Sequence, residues 1–140
     1  MTAPSSKPAE TILVVDDDPE VLTLVVDILE MARYTVVSTA DSRQALRLVR
    51  TYAEPIHLLL TDVVMPLMNG LQLAAEVQAL RPEVQILLMS AYRTKAIDDH
   101  RMRLGLPGLF LDKPFTVVSL MGAVRYLLDD RVPMSRQRVH

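Results

Sequence analysis

Four short apolar runs in this chain end at residues able to do chemistry. Asp16 and Asp17 follow Thr11-Ile12-Leu13-Val14-Val15, Asp62 closes Leu58-Leu59-Leu60-Thr61, Ser90 follows Val84-Gln85-Ile86-Leu87-Leu88-Met89, and Lys113 comes two residues after Leu109-Phe110-Leu111. Two carboxylates about 4 Å apart repel by roughly 4 kcal/mol at an effective dielectric of about 20, so three of them gathered at one rim require a cation. The donors are all oxygen, with no His or Cys near them in sequence, which selects a hard ion: Mg²⁺ foremost, with Mn²⁺ or Ca²⁺ as substitutes. A carboxylate held beside such an ion and an ammonium is equipped for phosphoryl transfer. The ion, Lys113 and Ser90 would each meet one phosphoryl oxygen, while Asp62 acts as the nucleophile and becomes an aspartyl phosphate.

That chemistry depends on elements that carry the four run ends to one place. A parallel strand covered on both faces is continuously apolar, and ligands of open α/β sheets bind just beyond the carboxyl ends of such strands. The runs at 11–15, 58–62, 84–89 and 109–111 fit that description, and Tyr34-Thr35-Val36-Val37-Ser38 supplies a further strand. Helical patterns alternate with them. Asp18 is an N-cap with Pro19 at the first helical position, and Val21, Val25, Ile28 and Leu29 recur at helical spacing to about Met31. Asp41 caps a helix over 42–52 with Ala45, Leu46 and Val49 inward, and the turn Met68-Asn69-Gly70 precedes a helix over 71–80 that Arg81-Pro82 stops.

The segment 94–104 is crowded with Lys95, Asp98, Asp99, Arg101 and Arg103 and has Ile97 and Leu104 as its anchors, which predicts a weakly docked helix. Thr116 can cap a last helix with Val117, Leu120, Met121, Val124, Leu127 and Leu128 on one face. Five strands alternating with five helices make a parallel sheet with helices on both faces, because parallel crossovers are right-handed. If the sheet is doubly wound, the four chemically equipped strands are neighbours.

At 140 residues the chain is about one domain. Residues 1–10 and 131–140 are polar and read as flexible tails around a domain over 11–130, which leaves no output domain within the chain. Net charge is −2, from 15 basic and 17 acidic side chains, so nothing favours nucleic acid or an anionic membrane as a partner. No stretch approaches the roughly 20 apolar residues of a membrane span, and the amino end lacks the apolar run of a secretory signal. The absence of cysteine excludes disulfides and thiolate metal sites and agrees with a reducing, cytoplasmic setting.

Taken together, Val15-Asp16-Asp17, Asp62 with Met65-Pro66 and Gly70, Ser90-Ala91, and Lys113-Pro114-Phe115 resemble the receiver domains of bacterial two-component response regulators over about residues 10–130. The resemblance implies a flavodoxin-like (βα)5 three-layer sandwich with strand order 2-1-3-4-5, in an apparently single-domain member. It implies that Asp62 accepts a phosphoryl group from a histidine kinase or histidine phosphotransfer protein. Asp17, Asp62 and the backbone carbonyl of Val64 would bind Mg²⁺ directly, with Asp16 acting through water. Ser90 would turn toward the phosphate, and Phe110 occupies the switch-aromatic position. Lys113-Pro114 would be a cis peptide. A downstream protein would read the face made by the fourth helix, the last strand and the last helix, and the chain would be a monomer or a phosphorylation-dependent homodimer.

Two departures from the family's commoner residues stand out. Ser90 replaces Thr, and Phe110 lacks the hydroxyl of a Tyr, so coupling between the two would be purely steric. On this reading the protein is a switch and not an enzyme, since it catalyses only its own phosphorylation and dephosphorylation. Two readings compete with it: an interaction module of the same fold that is never phosphorylated, and a phosphatase that turns over substrates through an aspartyl intermediate. Val64 and Tyr92, two residues past Asp62 and Ser90, are poor at positioning water and disfavour rapid hydrolysis.

Overall fold

The computed structural model describes residues 9–128. Of the expected tails at 1–10 and 131–140, residues 9 and 10 are described and the rest lie outside the described residues. The elements run β1 (Thr11–Val15), α1 (Pro19–Met31), β2 (Thr35–Thr39), α2 (Ser42–Thr51), β3 (Leu58–Asp62), α3 (Gly70–Leu80), β4 (Gln85–Ser90), α4 (Lys95–Arg103), β5 (Phe110–Asp112) and α5 (Val117–Leu128). All the strands are parallel, in the order β2-β1-β3-β4-β5.

Strand alternation sorts the core into two layers. Leu13, Val15, Leu59, Ile86 and Leu88 face one side, where Ala45, Leu46 and Val49 of α2 and Leu71, Leu73, Ala74 and Val77 of α3 cover them. Ile12, Val14, Leu58, Leu60, Leu87 and Met89 face the other, under Val25 and Leu29 of α1 and Leu120, Val124 and Leu128 of α5. Both faces are dry, which is why these strands are apolar without interruption.

Helix starts are written in the sequence. Asp18 accepts from the Glu20 N–H, Asp41 from Arg43, Asn69 from Gln72 and Thr94 from Ile97, while Thr116 accepts from Ser119. Each cap satisfies an amide that the first helical turn leaves without a partner. Since each helix begins just past a strand, every cap stands on the carboxyl rim of the sheet.

Element limits differ from the sequence-based expectation by a residue here and there. β2 starts at Thr35, because α1 ends in a turn with Arg33 at φ 74° and the Tyr34 N–H still bonds back to Leu29. Glu10, assigned to the tail by its polarity, offers its carbonyl to the Thr35 N–H at 2.9 Å. Two predicted anchors also change. Leu104 is 37% exposed and Val117 55% exposed; Leu106, in the loop after α4, is the residue that enters the core.

α4 buries no side chain at all and keeps Ile97 as its partly buried apolar contact with the core. The predicted weak docking is what the structure contains. At the opposite extreme, Arg81 after α3 donates to the carbonyls of Val49 (2.9 Å), Tyr52 (2.6 Å) and Glu54 (2.9 Å), tying the end of α3 to the end of α2. The sequence shows Arg81 merely as a helix stop.

Candidate functional site

β1, β3, β4 and β5 lie side by side, so their carboxyl ends form one rim. Val15 pairs with Thr61, Asp62 with Met89 and Ser90 with Asp112, which sets Asp16, Asp62, Ser90 and Lys113 within a residue or two of one line. A carboxylate oxygen from each of Asp16, Asp17 and Asp62 falls within 4.8 Å of the others. This acidic pocket could hold a metal ion. Its donors are all oxygen, which suits a hard cation such as Mg²⁺.

Asp16 is fully buried and occupied at both oxygens. Its Oδ1 accepts from the Asp18 N–H at 2.9 Å, and its Oδ2 pairs with Lys113 Nζ at 2.8 Å. Asp17 is exposed and has no side-chain partner among the described residues. Asp62 is 8% exposed and 3.4 Å from Lys113 Nζ through Oδ1. The Val64 carbonyl accepts no hydrogen bond among the described residues. Asp17, Asp62 and Val64 are therefore the oxygen donors with room for a new partner.

Burial and charge repulsion both act on the pocket's carboxylates. Burial, and then the neighbouring Asp16 charge, push the Asp62 carboxyl up to about 6, against the pull of Lys113; Asp17 adds a smaller push. Lys113 is raised as well. Burial alone would lower it, but its bond to Asp16 and the charges of Asp62 and Asp16 raise it above its ordinary value. One ammonium thus offsets part of a three-carboxylate cluster.

The backbone under Asp62 is rigid. The Val63 N–H bonds to Met89, the Gly70 N–H bonds to Val63, and a Cβ built at Gly70 would land on the Asp62 carbonyl oxygen. Gly70 is needed for close approach, since any side chain there would push α3 off β3. The loop between them contains Leu67 at φ 71°, a left-handed conformation unfavourable for a residue with a Cβ, and leaves it 73% exposed.

Ser90 is buried, and its hydroxyl donates to the Tyr92 carbonyl at 2.8 Å. It belongs to the rim as expected, yet it is engaged by its own loop. Phe110 is half-buried against the α2/α3 core layer, and the Arg93 guanidinium lies over its ring, 4.2 Å from the centroid. Contact between this loop and Phe110 is thus partly electrostatic and not steric alone. No spacing rule singles out Arg93, because the contact joins the loop after β4 to the first residue of β5 through side-chain direction. Lys113-Pro114 is cis, as expected.

The sequence model of the response regulator receiver domain matches residues 12–125. The chain belongs to the receiver-domain family. This receiver domain is 31% identical over 119 residues to the response regulator receiver protein CpdR of Brucella abortus, covering 84% of this chain and 95% of that protein. It is 29% identical over 120 residues to a putative two-component response regulator, ARR21, of Arabidopsis thaliana, covering 86% of this chain but 19% of that protein. A CheY-like receiver domain from Methanospirillum hungatei superposes with a TM-score of 0.80 at 26% identity, over 88% of this chain and 96% of that one.

The chain spans less than a third of the length of several other curated relatives that it matches. Receiver domains of this family interact with histidine kinases and downstream effectors. No helix among the described residues is long and apolar enough to cross a membrane.

Proposed function

We propose that this receiver domain is a phosphorylation-activated switch in which Asp62 accepts the phosphoryl group. The observation that carries the reading is the pocket itself. Asp62 is nearly buried at the end of a central strand, within reach of two further carboxylates and of Lys113. A fold with no use for a cation gains nothing from that repulsion. Asp17, Asp62 and the Val64 carbonyl would hold Mg²⁺, or Mn²⁺ in its place, with Asp16 acting through water. When bound, the ion supplies positive charge opposite the phosphoryl oxygens.

The donor is a histidine kinase or histidine phosphotransfer protein. An Asp62 Oδ attacks phosphorus, the bond from phosphorus to the donor's imidazole nitrogen breaks, and that nitrogen leaves with the bonding pair and takes up a proton. Asp62 must be ionised to attack. A carboxyl raised to about 6 is mostly ionised at neutral pH, more so once Lys113 is drawn closer. Lys113, already 3.4 Å from Oδ1, is placed to pair with the transferred group, while Asp16 holds the ammonium in position at 2.8 Å.

The hydroxyl of Ser90 would exchange the Tyr92 carbonyl for a phosphoryl oxygen. That movement shifts the loop before α4 and, through Phe110, the face formed by α4, β5 and α5. A downstream protein reads that face, or a second copy of the chain does. The domain then acts in the cytoplasm as a switch and not as an enzyme with a turnover substrate. Val64 and Tyr92, two residues past Asp62 and Ser90, are 69% and 79% exposed; Val64 has no polar side-chain group and Tyr92 only a hydroxyl at the end of an exposed ring, so both are poor at positioning an attacking water, which weighs against the phosphatase reading.

Incubating the full chain with a small phosphodonor such as acetyl phosphate, with and without Mg²⁺, tests the proposal. Labelling should require Mg²⁺ and vanish in Asp62→Ala. Undiminished labelling of that variant would overturn the assignment of Asp62.

A further inference from the structure

We infer that Arg93 is a resting-state latch, a positioning residue that sets how readily this receiver domain enters its phosphorylated conformation; the inference rests on the proposed role of Asp62. Three features of the loop between β4 and α4 lead to it. The hydroxyl of Ser90 donates to the Tyr92 carbonyl at 2.8 Å, so the loop is folded back on the very group that must be released to meet a phosphoryl oxygen. The next residue, Arg93, lies over the Phe110 ring at 4.2 Å. Arg93 is otherwise exposed and has no ion pair or hydrogen bond among the described residues.

Tyr92 and Arg93 share a peptide unit, so displacing the Tyr92 carbonyl carries Arg93 with it. Stacking of a guanidinium on a ring needs both partners in place within about 6 Å of the centroid. The contact therefore belongs to the conformation in which Ser90 is turned toward Tyr92, and it stabilises that conformation alone. A contact made in one of two states shifts the balance by its own worth.

Nothing else on this side resists the change strongly. α4 follows at once and buries no side chain, being held by its Thr94 cap, by Ile97, and by Arg101, which donates to the Leu106 carbonyl at 2.8 Å. Ser90 and Phe110 lie on neighbouring strands, with Leu88 paired to Phe110. Arg93 thus closes a link between the Ser90 loop and β5 that neither strand provides alone.

The test is a titration of the full chain with beryllium fluoride in excess Mg²⁺, followed by fluorine NMR, on the wild type, Arg93→Ala, Arg93→Lys, Phe110→Leu and the double variant Arg93→Ala/Phe110→Leu. Removing one exposed cation–π contact should lower the midpoint about two- to five-fold in Arg93→Ala. Arg93→Lys, which keeps a cation over the ring, should stay near the wild type. In the Phe110→Leu background, Arg93→Ala should change nothing further. A midpoint in Arg93→Ala that is unchanged or raised overturns the latch, as does an equal effect with and without the ring. If the wild type itself fails to bind the mimic, the reading of Asp62 falls and the latch with it, whereas a wild type that binds normally beside an inert Arg93→Ala removes the latch only.

Discussion

α3 and α4 follow adjacent strands that each deliver a residue to the same rim, yet they are attached in opposite ways. α3 buries Gly70, Leu71, Leu73, Ala74 and Val77, and its first residue backs directly onto the Asp62 carbonyl. α4 has no buried residue; Lys95 pairs with Asp99 on its exposed surface, and Arg101, largely covered, pairs with Asp98 and reaches the Leu106 carbonyl. One half of the site is thus fixed to the core and the other is held by caps, a hydroxyl and a cation over a ring. Chemistry at Asp62 needs a nucleophile whose position does not wander, while a signal needs an element that can be moved at small cost. On the proposed function, the sheet serves both by giving consecutive strands differently anchored helices.

Substitutions can break or sharpen this contrast, beginning where the effect is largest. Gly70→Ala should destabilise the fold by more than about 3 kcal/mol in urea unfolding, because the new methyl meets strand backbone, which cannot step aside as a side chain can. A loss below about 1 kcal/mol would mean that α3 is less tightly seated than its contacts indicate. Leu73→Ala, at a fully buried position of α3, should cost about 3 kcal/mol, whereas Ile97→Ala in α4 should cost about 1 kcal/mol or less. Equal costs would erase the distinction between the two helices.

Asp62→Asn should act in the other direction. Its carboxyl is raised to about 6 in the folded protein from an ordinary 3.8, so the folded state holds the proton more tightly than the unfolded one. The stability this contributes is fully present below about pH 4 and is lost as pH rises through about 6. Without metal at pH 7, Asp62→Asn should therefore stabilise by about 1–2 kcal/mol, solvent at the rim screening part of the repulsion, and the gain should vanish near pH 4. Thermal unfolding of both proteins in chelator across that range measures it; a gain independent of pH would mean that ionisation of the buried Asp62 carboxyl is not its source. Smallest of all, Lys95→Ala should change stability by less than about 0.5 kcal/mol, since its pair with Asp99 is a solvent-exposed i,i+4 contact.

Much of this architecture was legible because it is local. Asp18, Asp41 and Thr116, read as caps from the sequence, each accept from an amide two or three residues on, so cap and helix are adjacent in sequence; Asn69 and Thr94 cap in the same way, but the sequence shows them as a turn residue and as the start of a charged segment. Continuous apolar runs marked the buried strands, and the residue at which each run stopped marked the rim. Prediction failed at the margins of packing. Leu104 and Leu106 are equally apolar, and only the turn after α4 decides which of them points inward. Gly70 was read as a turn residue, although its requirement comes from a strand carbonyl eight positions earlier in the chain.

The sequence by itself determined that four strand ends carry two adjacent acids, a third acid, a hydroxyl and an amine, and that helices between them make the strands parallel. Those are properties of short segments, set by periodicity, capping and the compulsory hand of the crossover. Tertiary structure alone decided how the groups are engaged. Lys113 meets Asp16 across 97 residues, Arg81 reaches back to α2, and Arg93 settles on Phe110. Such contacts depend on strand order and on the direction of single side chains, neither of which leaves a local pattern. For the same reason, Asp62 can be found by reading the chain, whereas the contact of Arg93 with Phe110 becomes visible only once β4 and β5 lie side by side.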